Sequence, residues 1–125
     1  MAKRTKVLLI DDDAVVLRYL GSKLGTRYEV LTVQEPHAGV ALARAQQPDV
    51  IVCDIDMPAM SGGDVAAALA ADALTRKIPV VYLSALVSPE ETRDLQGVVG
   101  GRRGVSKRAR LAELVAVIEQ ATATA

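Results

Sequence analysis

The sequence has no Trp and no Phe, and its only aromatic residues are three Tyr. An interior without large rings has to be assembled from Val, Leu, Ile and Ala, which dominate a hydrophobic share of 50%. That supply suits a parallel sheet covered on both faces by Ala-rich helices. The single Cys53 excludes an internal disulfide and fits a reducing compartment. Net charge is also missing, because fifteen basic and fifteen acidic side chains cancel. The balance argues against the whole molecule binding nucleic acid or anionic membrane as a polyelectrolyte. No apolar run approaches the roughly 20 residues of a bilayer span. The run Val7–Ile10 is too short for the core of a signal peptide. The expectation is a cytoplasmic chain forming one domain over residues 1–125, ordered over about 5–121, with a frayed small-residue tail at 122–125.

What is present is an alternation. Val7–Ile10, Val50–Cys53 and Pro79–Leu83 are short apolar runs, the first two stopped by acids and the third by Ser84. Each reads as a strand buried on both faces. Glu29–Val33 reads as a further strand, and a weaker one lies near Gly104–Ser106. Between them, Val16, Leu17, Leu20 and Leu24 repeat at helical spacing, with Gly25 placed to end the helix. Val40–Ala45 is helical, stopped near Pro48, and a third helix begins at Ser61 or Gly62 and runs to about Ala73. Ser88-Pro89-Glu90-Glu91 is a helix start, with Ser as cap and Pro at the first position. Leu111, Leu114, Val115 and Ile118 form the stripe of a last helix. Five such β–α units predict an α/β, doubly wound, five-stranded parallel sheet with helices on both faces.

In such sheets, ligands sit beyond the carboxyl ends of the strands. Those ends carry Asp11-Asp12-Asp13, Asp54, Ser84 and Lys107. Gathered carboxylates stay ionised together most easily around a cation, and oxygen donors of this kind suit Mg²⁺. Lys107 and Ser84 would then meet phosphoryl oxygens, and Asp54 would serve as the nucleophile, with positioning and charge neutralisation doing most of the remaining work. Asp13 reads as a helix cap, Cys53 as a small core residue and His37 as a surface residue.

Over essentially its full length the sequence resembles the bacterial response-regulator receiver family, chemotaxis regulators included. The resemblance is carried by Val7-Leu8-Leu9-Ile10-Asp11-Asp12-Asp13, by Asp49 through Gly62 with its Asp-x-x-Met-Pro-x-Met-x-Gly pattern, by Ile78–Ala85 and by Lys107. Thirty residues separate Asp54 from Ser84, as that family leads one to expect. The resemblance implies a flavodoxin-like strand order 2-1-3-4-5. It implies Asp54 as phosphoacceptor, and Asp11, Asp12, Asp54 and the Asp56 backbone carbonyl as ligands of Mg²⁺ (or Mn²⁺). Ser84 would be the switch hydroxyl and Lys107 the phosphoryl contact. Asp56 and Leu86 would influence phosphoryl lifetime. No enzyme in the ordinary sense is implied; the chemistry is limited to gaining and losing a phosphoryl group.

Two positions depart from the family pattern. Gly104 stands where an aromatic is usual, so the customary side-chain rotation is not available there. Arg108 stands where Pro follows the Lys in a cis peptide, and a cis bond before a non-proline costs about 2.5–4 kcal/mol. A trans or reshaped loop is expected, with Arg103 or Arg108 as conceivable substitutes for Lys107. Five basic residues between Arg102 and Arg110 are a solvated face or a docking surface for an acidic partner protein.

The expected function is a stand-alone receiver, a monomer or weak dimer, that accepts a phosphoryl group from a histidine kinase or phosphotransfer protein and signals through a protein partner. No direct contact with nucleic acid or membrane is expected. The alternatives are a degenerate receiver acting as an interaction scaffold, and a phosphatase of the Asp-x-Asp type built on Asp54-Ile55-Asp56. The kinase, stimulus and downstream partner are not legible in the sequence.

Overall fold

The computed structural model describes residues 4–85, 98, 99 and 102–123. Its elements are β1 (Lys6–Ile10), α1 (Ala14–Leu24), β2 (Glu29–Val33), α2 (Pro36–Gln46), β3 (Val50–Asp54), α3 (Gly62–Ala70), β4 (Val80–Ser84), β5 (Val98–Val99), β6 (Arg102–Ser106) and α4 (Leu111–Ala123). The expected helix start at Ser88–Glu91 lies outside the described residues, as does Leu86.

Five strands pair in parallel, in the order β2-β1-β3-β4-β6. This is the anticipated order 2-1-3-4-5, with β6 as the fifth parallel strand. One addition was not anticipated: Val98 and Val99 pair antiparallel with Arg103 and Arg102, so the sheet gains a two-residue edge strand. The expected strand near Gly104–Ser106 accordingly begins two residues earlier, at Arg102.

Alternation along each strand splits the interior into two layers. Val7, Leu9, Val50, Val52, Val81, Leu83 and Val105 face α1 and α4, where Leu17, Leu24, Leu114 and Ile118 meet them. Leu8, Ile10, Ile51, Cys53, Val80 and Tyr82 face α2 and α3, against Ala43, Val65, Ala66 and Leu69. Among the described residues no helix is long and apolar enough to cross a membrane.

The helix ends follow local chemistry, with three departures from expectation, one being that α3 ends at Ala70 rather than near Ala73. The helix expected from Val40 starts earlier, because Glu35 caps it: its carboxylate accepts from His37 N at 3.0 Å and Ala38 N at 2.7 Å. Pro36, at the first helical position, needs no hydrogen bond there. Gly25 ends α1 as expected but in a right-handed conformation (φ −63°). The left-handed turn belongs instead to Gln47, φ 48°, after α2.

One close approach matters for function. Ser61 caps α3 by accepting from Asp64 N at 3.1 Å, and Gly62 N donates to Ile55 O at 2.8 Å. A Cβ at Gly62 would lie 2.7 Å from Asp54 O and 2.9 Å from Ile55 Cα. Only glycine lets α3 begin this close to the end of β3. Gly62→Ala should therefore destabilise the fold by about 1–3 kcal/mol, despite alanine's better helix propensity. Urea unfolding of the two proteins measures it.

Candidate functional site

The site grows from the ladder. Ile10 and Cys53 are register partners in β1 and β3, so the next residues, Asp11 and Asp54, leave neighbouring strands side by side. Both are buried, at 2% and 3% exposure. Asp11 N donates to Val33 O at 3.2 Å, extending the ladder towards β2 by one residue. Asp11 Oδ1 accepts from Asp13 N at 2.9 Å. The helix cap is Asp13, whose Oδ1 accepts from Val15 N at 2.9 Å and Val16 N at 3.4 Å. The capping role open to Asp11 and Asp12 is thus filled by their neighbour, and Asp12 is exposed.

Lys107, on the turn after β6, reaches back across the strand ends. Its Nζ lies 2.8 Å from Asp11 Oδ2 and 3.2 Å from Asp54 Oδ2. Asp54 Oδ1 accepts from Asp56 N at 3.3 Å. Neither suggested substitute takes this place: Arg108 is exposed and Arg103 is half-buried on β6. The Lys107–Arg108 peptide is trans, as the absent proline led one to expect.

Electrostatics follow from this crowding. Burial pushes the Asp54 carboxyl up to about 6, Asp11 adds to the rise, and Lys107 holds it back. Burial opposes the Lys107 ammonium, but Asp11 and Asp54 outweigh it and raise its pKa. Burial, with the charges of Asp54 and Asp11, pushes the Cys53 thiol up to about 12, so it stays protonated and inert.

One carboxylate oxygen from each of Asp11, Asp12 and Asp54 lies within 4.8 Å of the other two. Asp11 Oδ2 is buried and, apart from the ammonium, meets no well-directed donor among the described residues. Hard oxygen donors, anionic and converging beside an under-satisfied oxygen, fit Mg²⁺ or Mn²⁺. Asp56 is exposed on the loop after β3.

Ser84 ends β4, 3% exposed. Its carbonyl accepts from Lys107 N at 2.9 Å, and its register partner is Ser106. Since Asp54 is the register partner of Leu83, Ser84 stands one residue beyond Asp54 at the same end of the sheet. Gly104 is buried and lies opposite Tyr82. His37 is exposed in the first turn of α2. Sequence reasoning passed over Ser106, although a serine between a strand and a turn is a recognisable signal.

The fold and the acidic strand ends define a class, and the comparisons agree with it. A family profile described as "Response regulator receiver domain" matches residues 7–119. The chain belongs to the response regulator receiver family, the receiver modules of two-component signalling, which act as signalling domains rather than as enzymes. It is 33% identical to Protein PilH of Pseudomonas aeruginosa over 99 residues, 78% of this chain and 80% of PilH. It is 39% identical to Response regulator PleD of Caulobacter vibrioides over 82 residues, 65% of this chain but only 18% of PleD. The solved structure of chemotaxis response regulator CheY4 of Vibrio cholerae superposes with a TM-score of 0.79, at 26% identity, covering 96% of this chain and 99% of that one.

A stability prediction follows from the Asp54 carboxyl. Its folded-state pKa is raised from 3.8 to about 6, so the native state holds the proton more tightly than the unfolded chain does. Metal-free stability should then fall as pH rises from about 4 to about 6, and stay lower above. Asp54→Asn should gain about 1–2 kcal/mol at pH 7.5 without divalent cations, a gain that disappears below pH about 4. Denaturant midpoints across that range measure it; an unchanged or lower midpoint at pH 7.5 would contradict it.

Proposed function

We propose that this chain is a single-domain, stand-alone receiver that accepts a phosphoryl group on Asp54 from a phosphohistidine and passes the signal to a protein partner. The observation that carries the reading is the arrangement around Asp54: a buried carboxylate with a second acid beside it and a lysine ammonium within 3.2 Å. At neutral pH Asp54 is largely ionised, as a nucleophile must be. In the transfer, an Asp54 oxygen forms the new P–O bond while the P–N bond to the donor breaks. The electron pair returns to the donor imidazole.

Lys107 stands where it can neutralise a phosphoryl oxygen, and the Ser84 hydroxyl can donate to another. Asp11, Asp12 and Asp54, with the Asp56 backbone carbonyl, are the residues that would hold Mg²⁺ (or Mn²⁺). A bound divalent cation would supply charge neutralisation at the phosphoryl group. The stand-alone arrangement draws support from PilH, which the chain matches over 80% of its length.

Donor and output partners use neighbouring features in this reading, one apolar and one basic. Val15 and Tyr19 of α1 are 66% and 57% exposed. With Leu20, Ala109, Leu111 and Leu114 they line an apolar cavity of about 260 Å³ that Lys107 also borders. A histidine-bearing donor docked there would bring its phosphoryl group to the site. On the output side, the basic segment Arg102–Arg110 is divided: Lys107 turns inward, while Arg108 and Arg110 are exposed and available to an acidic partner. Reversing both exposed arginines to Glu is expected to weaken that partner and to flatten the salt dependence of its binding.

Intact mass after incubation with acetyl phosphate and Mg²⁺ tests the central claim. A single phosphoryl adduct is expected, absent without Mg²⁺ and absent in Asp54→Asn. No adduct from any donor would favour the scaffold reading. Tyr19→Ala separates docking from chemistry. It should slow transfer from a phosphorylated protein donor by about tenfold or more, the cost of a lost aromatic contact, while leaving the acetyl phosphate reaction unchanged.

A further inference from the structure

The turn that carries Lys107 is held by a neighbouring hydroxyl. Ser106 closes β6, is 2% exposed, and its carbonyl accepts from Ala109 N at 3.0 Å. That bond makes residues 106–109 a β-turn with Lys107 and Arg108 at its centre. Ser106 Oγ also accepts from Arg108 N at 3.1 Å, the local pattern by which a serine fixes a turn. A proline at 108 would have no N–H to give. The non-proline residue here supplies the donor, and Ser106 supplies its acceptor.

The consequence falls on Lys107. Its backbone N is tied to Ser84 O at 2.9 Å, and its ammonium spans Asp11 and Asp54 at 2.8 and 3.2 Å. A lysine stem is flexible, so its charge stays in one place only when the backbone beneath it is fixed. We propose that Ser106 is a positioning residue for phosphoryl acceptance: its hydroxyl, bonded to the Arg108 N–H, holds the turn that places the Lys107 ammonium between Asp11 and Asp54. The inference rests on reading Asp54 as the acceptor. A serine that merely fills the strand end would influence stability alone.

The full chain provides the test, through two readouts at pH 7.5: calorimetric Mg²⁺ affinity and the rate of adduct formation from acetyl phosphate. Ser106→Ala should slow the adduct by about two- to tenfold, the equivalent of one hydrogen bond. It should also tighten Mg²⁺ by about twofold or more, because a displaced ammonium no longer competes for the same carboxylates. Loss of stability by itself would not tighten a metal. Ser106→Thr retains the hydroxyl and should restore both values. In a Lys107→Met background, Ser106→Ala should add nothing, since its effect travels through the ammonium. Wild-type values in Ser106→Ala, or an undiminished effect in the Lys107→Met background, would overturn the proposal. Should the threonine variant unfold, the Lys107→Met cycle decides alone. Failure of the wild-type chain to form an adduct would strike the acceptor reading instead, which keeps the two claims separable.

Discussion

Two carboxylates leave adjacent parallel strands at the same level, and the lysine that lies between them is the interaction on which the site depends. Neighbouring strands lie about 4.7–4.9 Å apart, so the Ile10–Cys53 register forces Asp11 and Asp54 together. Two buried anions at that spacing repel strongly unless a cation stands between them. The Lys107 ammonium meets both, one positive charge against two negative, and the Asp54 carboxyl is still raised, first by burial and then by Asp11. A residual excess of negative charge is what a divalent cation would answer, and the exposed Asp12 adds to it.

Much of the remaining architecture keeps that lysine in reach. Strand β6 lies beside β4 in parallel register, which brings the turn after it to the strand ends where β1 and β3 finish. Backbone bonds from Lys107 to Ser84 and from Ala109 to Ser106 lock the turn to the sheet. On the opposite side, Gly62 lets α3 start against the Asp54 carbonyl, which sets the loop carrying Asp56. Asp54 is thus held by a glycine on one side and a lysine turn on the other. Outward relay is a separate matter. Position 104 is a buried glycine opposite Tyr82, so no side chain at 104 can carry a change to the surface.

A good part of this was legible beforehand. Val7–Ile10 and Val50–Cys53 announce buried strands because they are unbroken apolar runs ended by acids, and both form where expected. Asp13 reads as a cap and is one. The early start of α2 escaped because glutamate is an uncommon cap, and because the apolar spacing only becomes regular at Val40. The edge pair Val98–Val99 escaped because two residues carry no periodicity, and only their pairing with Arg103 and Arg102 makes them a strand. Ser106 escaped because a serine before a turn signals turn chemistry, but not that its hydroxyl fixes the backbone beneath Lys107.

The sequence by itself determined the alternation of elements and the acidic residues at the carboxyl ends of the strands. Those follow from periodicity and from motif spacing, which are local along the chain. Only the tertiary structure decided that Lys107, rather than Arg103 or Arg108, meets Asp11 and Asp54. It also decided that Arg108 contributes its backbone N–H to Ser106 in place of a ring. A basic segment offers several equivalent charges in one dimension. Strand register and the closure of a single turn select among them, because burial at 2.8 Å from a carboxylate is open to one side chain only.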